Sequence, residues 1–292
     1  MAASPPVVLT IAGFDPSSGA GITADIKTIA AHECYGVACI TALTVQSTQG
    51  VRRVEAVDPK IILETLEELA RDLVVEAVHV GMLGNERAAA AVADFLAHAC
   101  LPHVVLDPIL KSSSGADLMD AAGTRLLVER LLPLAELVTP NIDEASALTG
   151  MAVTNLEQMR KAAARLHSMG AANVVVTGGH LEKAIDLLSF TTVRGTEEEV
   201  FKADRQRSNS THGTGCAFST ALACHLAHGR GLPEAVLLSK AYVSAAIANA
   251  HLLGKGVGPP HHLYRLGQYR RPSAAQPESE TKWREMGMRG TV

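Results

Sequence analysis

The sequence predicts an α/β protein with a central, mostly parallel sheet that is covered by helices on both faces. Short runs rich in valine, isoleucine and leucine alternate with alanine- and leucine-rich stretches of helical period. The apolar runs are continuous, as in strands that are buried on both faces. No stretch rich in proline, glycine and serine interrupts the pattern, so we expect a single domain over residues 1–270.

The individual elements follow from these two periods in chain order. Strands are predicted at residues 7–13, 36–46, 77–83, 103–110, 136–141 and 173–179. Helices are predicted at residues 24–33, 59–73, 122–135, 154–170, 214–228 and 233–252. Gly170 is expected to cap the C-terminus of its helix. The polar, aperiodic residues 271–292 predict a disordered tail.

Composition excludes several classes of function. The formal net charge is −4 and aromatic residues make up 3%, which argues against nucleic-acid binding. The five cysteines are odd in number and lack a C-x-x-C pair, which favours a reducing, cytoplasmic compartment. The N-terminus lacks the features of a signal peptide. The uncharged run between Arg207 and Arg230 contains histidines and a Gly-Thr-Gly, so we expect no membrane span there.

The loop after the first predicted strand carries G-x-G-x-x-A at residues 19–24, a partial dinucleotide-binding pattern. Five residues separate Gly13 from Gly19, and the second strand ends at Gln46 rather than at an acid, so the pattern is incomplete. Two interpretations stay open. The loop is a turn capped by one of its serines, with Asp25 favoured by the helix dipole, or it is the wall of a pocket that Asp25 faces.

Acidic side chains follow two later strands. Asp107 lies in the segment LDPIL, and Glu144 lies in TPNIDEA. Ligands bind at the carboxyl ends of strands in such sheets, and two carboxylates there suit Mg²⁺ held through water and phosphate oxygens. The alternative for Glu144 is an acid that completes a helix cap.

The segment THGTGC places two glycines before Cys216 at a predicted helix start. Backbone N–H groups at such a start can hold an anion, and a helix N-terminus can lower the pKa of a thiol. The alternative is a glycine turn with a buried, structural cysteine. The chain contains no G-x-x-x-x-G-K-[ST] motif.

Eight segments together resemble the hydroxymethylpyrimidine/phosphomethylpyrimidine kinases of thiamine biosynthesis. They are LTIAGFDPSSGAGITADIKT, YGVACITALTVQSTQGV, VGMLGN, VVLDPIL, LVTPNIDEASALTG, GGHL, STHGTGCAFSTALA and GKGVGPPHH. They occur in the expected order across roughly residues 7–265. The resemblance implies the ribokinase-like fold, a three-layer α/β/α sandwich, and a homodimer.

The resemblance also implies two phosphoryl transfers from ATP with Mg²⁺, first to 4-amino-5-hydroxymethyl-2-methylpyrimidine and then to its monophosphate. The implied pyrimidine pocket comprises Gly13, Asp25, Gln46, Met82 and Ile109, with Asp25 and Gln46 hydrogen-bonded to the ring. The implied Mg²⁺ ligands are Asp107 and Glu144, and the implied ATP contacts are Asn141, Thr177 and Lys240. The implied anion hole comprises Gly213, Thr214, Gly215 and Cys216, with the Cys216 thiolate as the base for the first transfer.

One departure and two alternatives accompany this resemblance. Thr177 stands where the family usually has a lysine, so a phosphate contact is either missing or supplied by Lys240. The first alternative is a pyridoxal or pyridoxine kinase on the same fold. The second is a non-catalytic pyrimidine-binding protein, but Asp107, Glu144 and the Gly-Thr-Gly are all present.

Overall fold

The computed structural model describes residues 4–112, 114–179, 184–203 and 208–266. Its strands are β1 (Val7–Phe14), β2 (Tyr35–Ser47), β3 (Gly50–Ala56), β4 (Ala77–Val80), β5 (Val104–Leu106), β6 (Leu137–Val138), β7 (Val174–Gly178), β8 (Ala184–Thr192) and β9 (Gly195–Ala203). They form one nine-stranded sheet in the order β3-β2-β1-β4-β5-β6-β7-β8-β9. In this order, every neighbouring pair from β2 through β7 is parallel. Strand β3 at one edge and strands β8 and β9 at the other are antiparallel to their neighbours.

The helices are α1 (Gly21–Ala31), α2 (Pro59–Asp72), α3 (Glu86–Ala99), α4 (Ala121–Leu126), α5 (Ile142–Thr149), α6 (Leu156–Ser168), α7 (Thr214–Ala227) and α8 (Leu232–Ala248). Helices α1, α7 and α8 pack together on one face of the sheet, and α2 to α6 lie on the other. This arrangement confirms the predicted α/β sandwich with a mostly parallel sheet. None of the described helices is both long and apolar enough to cross a membrane.

The continuous apolar strands supply both cores. Successive side chains of a strand point to opposite faces, so one buried strand serves two layers. In β1, Leu9 and Ile11 join the core beneath α2 and α3. The residue before them, Val8, joins the opposite core with Ile29 of α1 and Phe218 of α7. The strand therefore ends in the middle of the molecule, with its carboxyl end between the two helical layers.

The structure corrects several predicted boundaries. The helix expected at 122–135 divides into α4, a wide turn at Leu127–Leu131 and a tight turn at Leu132–Leu134, because Pro133 lacks the N–H that a regular helix needs. The helix expected at 154–170 ends at Ser168, and Gly170 follows its cap with φ of +109°. Strands β3 and β9 and helices α3 and α5 were not predicted. The tail predicted at 271–292 lies outside the described residues.

Candidate active site

The predicted site residues meet at the carboxyl ends of the parallel strands, where α/β sheets bind ligands. Met82 follows β4 and Asp107 follows β5, and Asp15, which was not predicted, follows β1. Asn141 follows β6 and begins α5. The N-terminus of α7 reaches the same edge, because a Cβ added at Gly215 would lie 4.0 Å from the Asp107 Oδ2 atom.

Helix α7 begins at Thr214, as the sequence predicts. Gly213 precedes it with φ of +81°, and a Cβ there would lie 1.9 Å from the carbonyl oxygen of Gly19. Both the backbone angle and the contact therefore require glycine. In the part of the chain that the structure describes, no side chain caps this helix, so its first N–H groups keep their positive potential.

Asp107 and Glu144 are both buried beside this helix start. Burial raises the pKa of Asp107 to about 6. Burial, with the charge of Asp107, raises the pKa of Glu144 to about 8. Among the described residues, neither carboxylate forms an ion pair with lysine or arginine. A cation is the group that would balance them.

Both interpretations of Glu144 agree with the geometry. Its Oε2 atom accepts a hydrogen bond from the Asn141 N–H at 2.9 Å, which completes the capping box of α5. Within the described ranges, no three His, Cys, Asp or Glu side chains form a metal cage. Two carboxylates nevertheless fit Mg²⁺, which usually keeps water and phosphate oxygens as its other ligands.

The Cys216 thiol lies at the expected place but in an unexpected electrostatic environment. The side chain is buried. Burial, followed by the charges of Asp107, Asp25 and Glu144, raises the pKa of the thiol well above its ordinary value. The shift is opposite in direction to the lowering that a helix N-terminus alone would give, because burial and then the nearby carboxylates outweigh the helix dipole.

Asp25 does not face a pocket, contrary to the prediction. Its side chain has no accessible surface. Its oxygens accept hydrogen bonds from the hydroxyls of Thr10 and Thr220, at 2.7 and 2.9 Å. The Oδ2 atom of Asp25 also lies 3.4 Å from the Nδ1 atom of His79. In this structure the carboxylate is therefore part of a buried polar cluster beneath the site, with no edge open to a ligand.

His79 in β4 is a buried titratable group that the sequence reasoning missed. Burial alone would lower the pKa of its imidazole, but the Asp25 carboxylate, with a contribution from Asp107, outweighs burial and raises it. The ring therefore acts as a partner for the negative charges under the site. A polar residue inside the apolar strand AVHV was the available signal.

The apolar wall of the predicted pyrimidine pocket is assembled. A Cβ added at Gly13 would lie 2.9 Å from the Met82 sulfur, so glycine lets the thioether approach the end of β1. Met82 belongs to a small apolar cluster with Ala42 and Leu118, and Ile109 packs against it. Three predicted pocket residues, Gly13, Met82 and Ile109, therefore lie together.

Gln46 lines a separate small cavity of about 130 Å³ at the same edge. The cavity is lined by Gln46, Ser47, Thr48, Gln49, Gly50, Val51, Ser112, Ser114, His212, Gly256 and Val257. His212 lies 3.1 Å from the Gln46 amide and 2.8 Å from Asp15. Sequence reasoning did not single out Asp15, whose position directly after β1 was the available signal.

Asp15 also replaces the serine cap expected for the glycine-rich loop. Its carboxylate accepts hydrogen bonds from the backbone N–H groups of Ser17 and Ala20 at 2.8 and 3.0 Å. Ala20 stands at the cap position of α1, and its side chain makes no cap. The loop is thus held by an acid from outside the helix.

The three predicted ATP contacts lie near one another. Asn141 and Thr177 form an isolated backbone bridge between β6 and β7. Thr177 pairs across β7 and β8 with Asp186. The Lys240 ammonium lies 2.5 Å from the Asp186 carboxylate, and both groups are largely buried. Lys240 is therefore held beside position 177, where the family usually has a lysine. Residues 180 and 181 of the GGHL segment lie outside the described residues.

Comparisons with known proteins agree with this geometry. The family model described as phosphomethylpyrimidine kinase matches residues 15–261. The chain is 40% identical over 257 residues to the hydroxymethylpyrimidine/phosphomethylpyrimidine kinase of Haemophilus influenzae, a match that covers 87% of this chain and 96% of that protein. It is 43% identical over 258 residues to the thiamine biosynthesis bifunctional protein ThiED of Geobacter sulfurreducens. That match covers 88% of this chain and 52% of the bifunctional protein.

A solved structure gives the same fold. The ADP complex of Bacillus subtilis pyridoxal kinase is 34% identical and superposes with a TM-score of 0.81, covering 90% of this chain and 100% of that one. The α/β sandwich is therefore shared with a kinase of known structure.

Proposed function

The chain belongs to the phosphomethylpyrimidine kinase family, and we propose that it transfers phosphoryl groups from ATP to 4-amino-5-hydroxymethyl-2-methylpyrimidine and then to its monophosphate. The observation that carries this proposal is the meeting of two buried carboxylates with the glycine-rich start of α7 at the ligand edge. The names of the curated relatives supply the substrate.

The neutral pyrimidine would occupy the end of the site near Gln46, where the protein offers hydrogen-bonding groups and an apolar surface. Met82 and Ile109 offer an apolar wall, and Gln46 offers the donor and acceptor of its amide. We assign no ring contact to Asp25, whose oxygens are engaged with Thr10 and Thr220.

The phosphoryl groups would occupy the other end. Asp107 and Glu144 would hold Mg²⁺, which supplies charge neutralisation for the transferred phosphoryl group. The N–H groups that begin α7 at Gly213, Thr214 and Gly215 would face the developing negative charge. Lys240 and Asn141 would approach the nucleotide phosphates from the α8 and β6 sides.

Cys216 is the proposed base for the first transfer only. The hydroxymethyl group must lose a proton when its oxygen attacks, whereas an ionised monophosphate carries no such proton. After burial, the pKa of the thiol is raised by the proposed metal ligands Asp107 and Glu144 and by Asp25. A bound cation would offset their charge, so the thiol would be a better acceptor in the loaded enzyme than in the free protein.

The test is incubation of the purified protein with Mg·ATP and either the hydroxymethylpyrimidine or its monophosphate, with products identified by mass spectrometry. Diphosphate formed from both substrates supports the bifunctional kinase. Pyrimidine binding without turnover would overturn the kinase proposal in favour of a binding protein.

Pyridoxal phosphorylation is the second candidate function. The observation that favours it is the 34% identity and TM-score of 0.81 to a pyridoxal kinase, although the Haemophilus influenzae relative is named as a pyrimidine kinase. Pyridoxal run in parallel separates the two. Pyridoxal phosphate as the only product would assign this chain to the second function.

We also propose a cytoplasmic homodimer. All five cysteines are unpaired, which suits a reducing compartment. Strand β2 continues past β1 to pair with β3, and its Leu43 and Val45 side chains are 49% and 53% exposed. A partner copy would bury that apolar pair. Sedimentation velocity of the wild type and of Leu43→Lys tests this, since the substitution should yield monomer.

A further inference from the structure

Asp15 anchors a chain of hydrogen bonds that ends at Gln46. Its Oδ1 atom accepts from the Ser17 hydroxyl at 2.7 Å, and its Oδ2 atom accepts from His212 Nε2 at 2.8 Å. Burial would raise the pKa of Asp15, but the hydrogen bonds from His212 and Ser17 outweigh burial and lower it. Because an ionised carboxylate can only accept, the Nε2 atom of His212 must carry a hydrogen.

That hydrogen decides which end of the Gln46 amide faces the ring. His212 Nε2 lies 3.1 Å from the position assigned to the amide nitrogen of Gln46. A ring nitrogen that carries a hydrogen cannot accept from an amide NH₂, and the two ends of an amide have nearly the same shape. The arrangement that matches every donor with an acceptor therefore turns the amide oxygen of Gln46 toward His212.

Thr44 completes this orientation on the other side of the amide. Its hydroxyl oxygen lies 3.0 Å from the Phe14 carbonyl oxygen and 3.1 Å from the second terminal atom of Gln46. The hydroxyl donates to the carbonyl and can accept from the NH₂ of Gln46. The amide keeps one N–H and one oxygen lone pair, side by side, for a ligand in the cavity that Gln46 and His212 line.

We propose that Asp15 and His212 are positioning residues that hold the Gln46 amide in one orientation, so that it presents one donor and one acceptor to the aminopyrimidine edge of the substrate. The inference rests on the proposed function, because an aminopyrimidine offers a ring-nitrogen acceptor beside an amino donor. A substrate without that pair would gain nothing from the fixed amide.

The ring of His212 also packs closely against Gly19. A Cβ added at Gly19 would lie 2.3 Å from Cδ2 of the ring, closer than such atoms approach in proteins. The substitution Gly19→Ala would therefore displace the imidazole while leaving every hydrogen-bonding group of the chain in place. Gly19→Ala thus tests the loss of the contact between His212 and Gln46 without removing a hydrogen-bond donor or acceptor.

The test is a double-mutant cycle between His212→Leu and Gln46→Ala, read as steady-state kinetics with the hydroxymethylpyrimidine. We expect His212→Leu to raise KM for the pyrimidine about 10-fold and to change KM for ATP less than about 2-fold, since one oriented hydrogen-bond pair is lost. If His212 acts on the pyrimidine through the Gln46 amide, the double variant should be no worse than Gln46→Ala alone. His212→Gln, which retains an N–H donor, should recover most of the KM.

Multiplicative losses in the double variant, or an equal effect of His212→Leu on both substrates, would overturn the positioning role. If His212→Leu fails to fold in thermal unfolding, the cycle is run with Gly19→Ala and the same outcomes apply. The wild type reports separately on the proposed function. Pyrimidine turnover with multiplicative losses overturns the positioning role alone, whereas a wild type that accepts no pyrimidine overturns both.

Discussion

The two ends of the active site treat buried charge in opposite ways. Around Gln46, Asp15 is surrounded by donors that lower its pKa despite burial. At the other end burial raises the pKa of Asp107 to about 6 and that of Glu144 to about 8. Donors from the protein compensate the carboxylate at the first end, whereas burial outweighs the protein's own compensation at the second end, where we propose that Mg²⁺ binds. A neutral ring is bound through hydrogen bonds that the protein must supply in advance. A nucleotide, in contrast, binds together with its metal ion, and the charge of that ion would compensate the carboxylates.

Asp107→Asn tests this contrast with the largest expected effect. Turnover should fall on the order of 10²–10³-fold, because one of the two proposed metal ligands loses its charge. The free energy of unfolding in EDTA should rise on the order of 1 kcal/mol, because a buried carboxylate with a raised pKa costs stability when ionised. Steady-state kinetics and denaturant unfolding measure the two effects.

The exposed Asp117→Asn is the matched control for Asp107→Asn and should change neither quantity. A loss of stability in EDTA together with the loss of turnover would show that Asp107 is already balanced within the protein. That result would remove the difference between the two ends.

Cys216→Ala sharpens the comparison within the charged end. We expect the first transfer to fall on the order of 10²-fold and the second much less, because only the hydroxymethyl substrate has a proton for a base to accept. The two rates are measured separately, with each substrate supplied alone. Equal losses would leave the thiol a role in positioning, and Cys216→Ser serves as the control for volume.

Glu144→Gln tests the raised pKa directly through the pH dependence of stability. A carboxyl whose folded pKa lies above its unfolded value contributes stability that is present at low pH and lost as pH rises. In EDTA, the wild type should therefore lose on the order of 1 kcal/mol between pH 4.5, the ordinary pKa of the group, and about 8. Glutamine keeps the cap of α5, so the variant should show a flatter profile.

The control for Glu144→Gln is again the exposed Asp117→Asn, because Asp117 is not among the groups that shift the pKa of Glu144. Its unfolding curves should follow the wild type across this pH range. A wild-type stability that does not change with pH would mean that Glu144 ionises without cost. That result would contradict the inference that the protein leaves the Glu144 carboxylate uncompensated.

Thr177→Lys has the smallest expected effect and concerns the edge of the charged end. A lysine there would lie opposite Asp186, which already pairs with Lys240. We expect KM for ATP to fall about 2- to 5-fold, because Lys240 is released toward the phosphates or the new ammonium reaches them itself. Thr177→Gln, of similar length without charge, is the control. An unchanged or raised KM for ATP would show that Lys240 already supplies the contact.

Most of the fold could be predicted because buried parallel strands have a strong sequence signal. β1, β4, β5 and β7 all lie within predicted apolar runs. The missed β3 and β9 are edge strands with polar, exposed side chains, and their order comes from hydrogen bonds to neighbours rather than from local burial. Helix α3 was missed although Asn85, whose side chain accepts a hydrogen bond from the Ala88 N–H, was an available signal for its start.

The sequence indicated the positions of those site residues whose place depends only on the local backbone. Gly213 needs a positive φ and room for a neighbouring carbonyl, and Asp107 follows directly from the end of a strand. Residues such as these are fixed by local geometry, so the chain order alone indicates them.

The sandwich, the glycine-rich start of α7 and the two acids that follow strands can all be recognised from the order of residues along the chain. The electrostatic states of those acids come instead from the tertiary structure. It buried Asp25 against Thr10, Thr220 and His79, and it brought His212 to Gln46 across 166 positions of the chain. The physical reason is that burial and the nearest charges set a pKa or an amide orientation, and both depend on neighbours that are distant in the sequence.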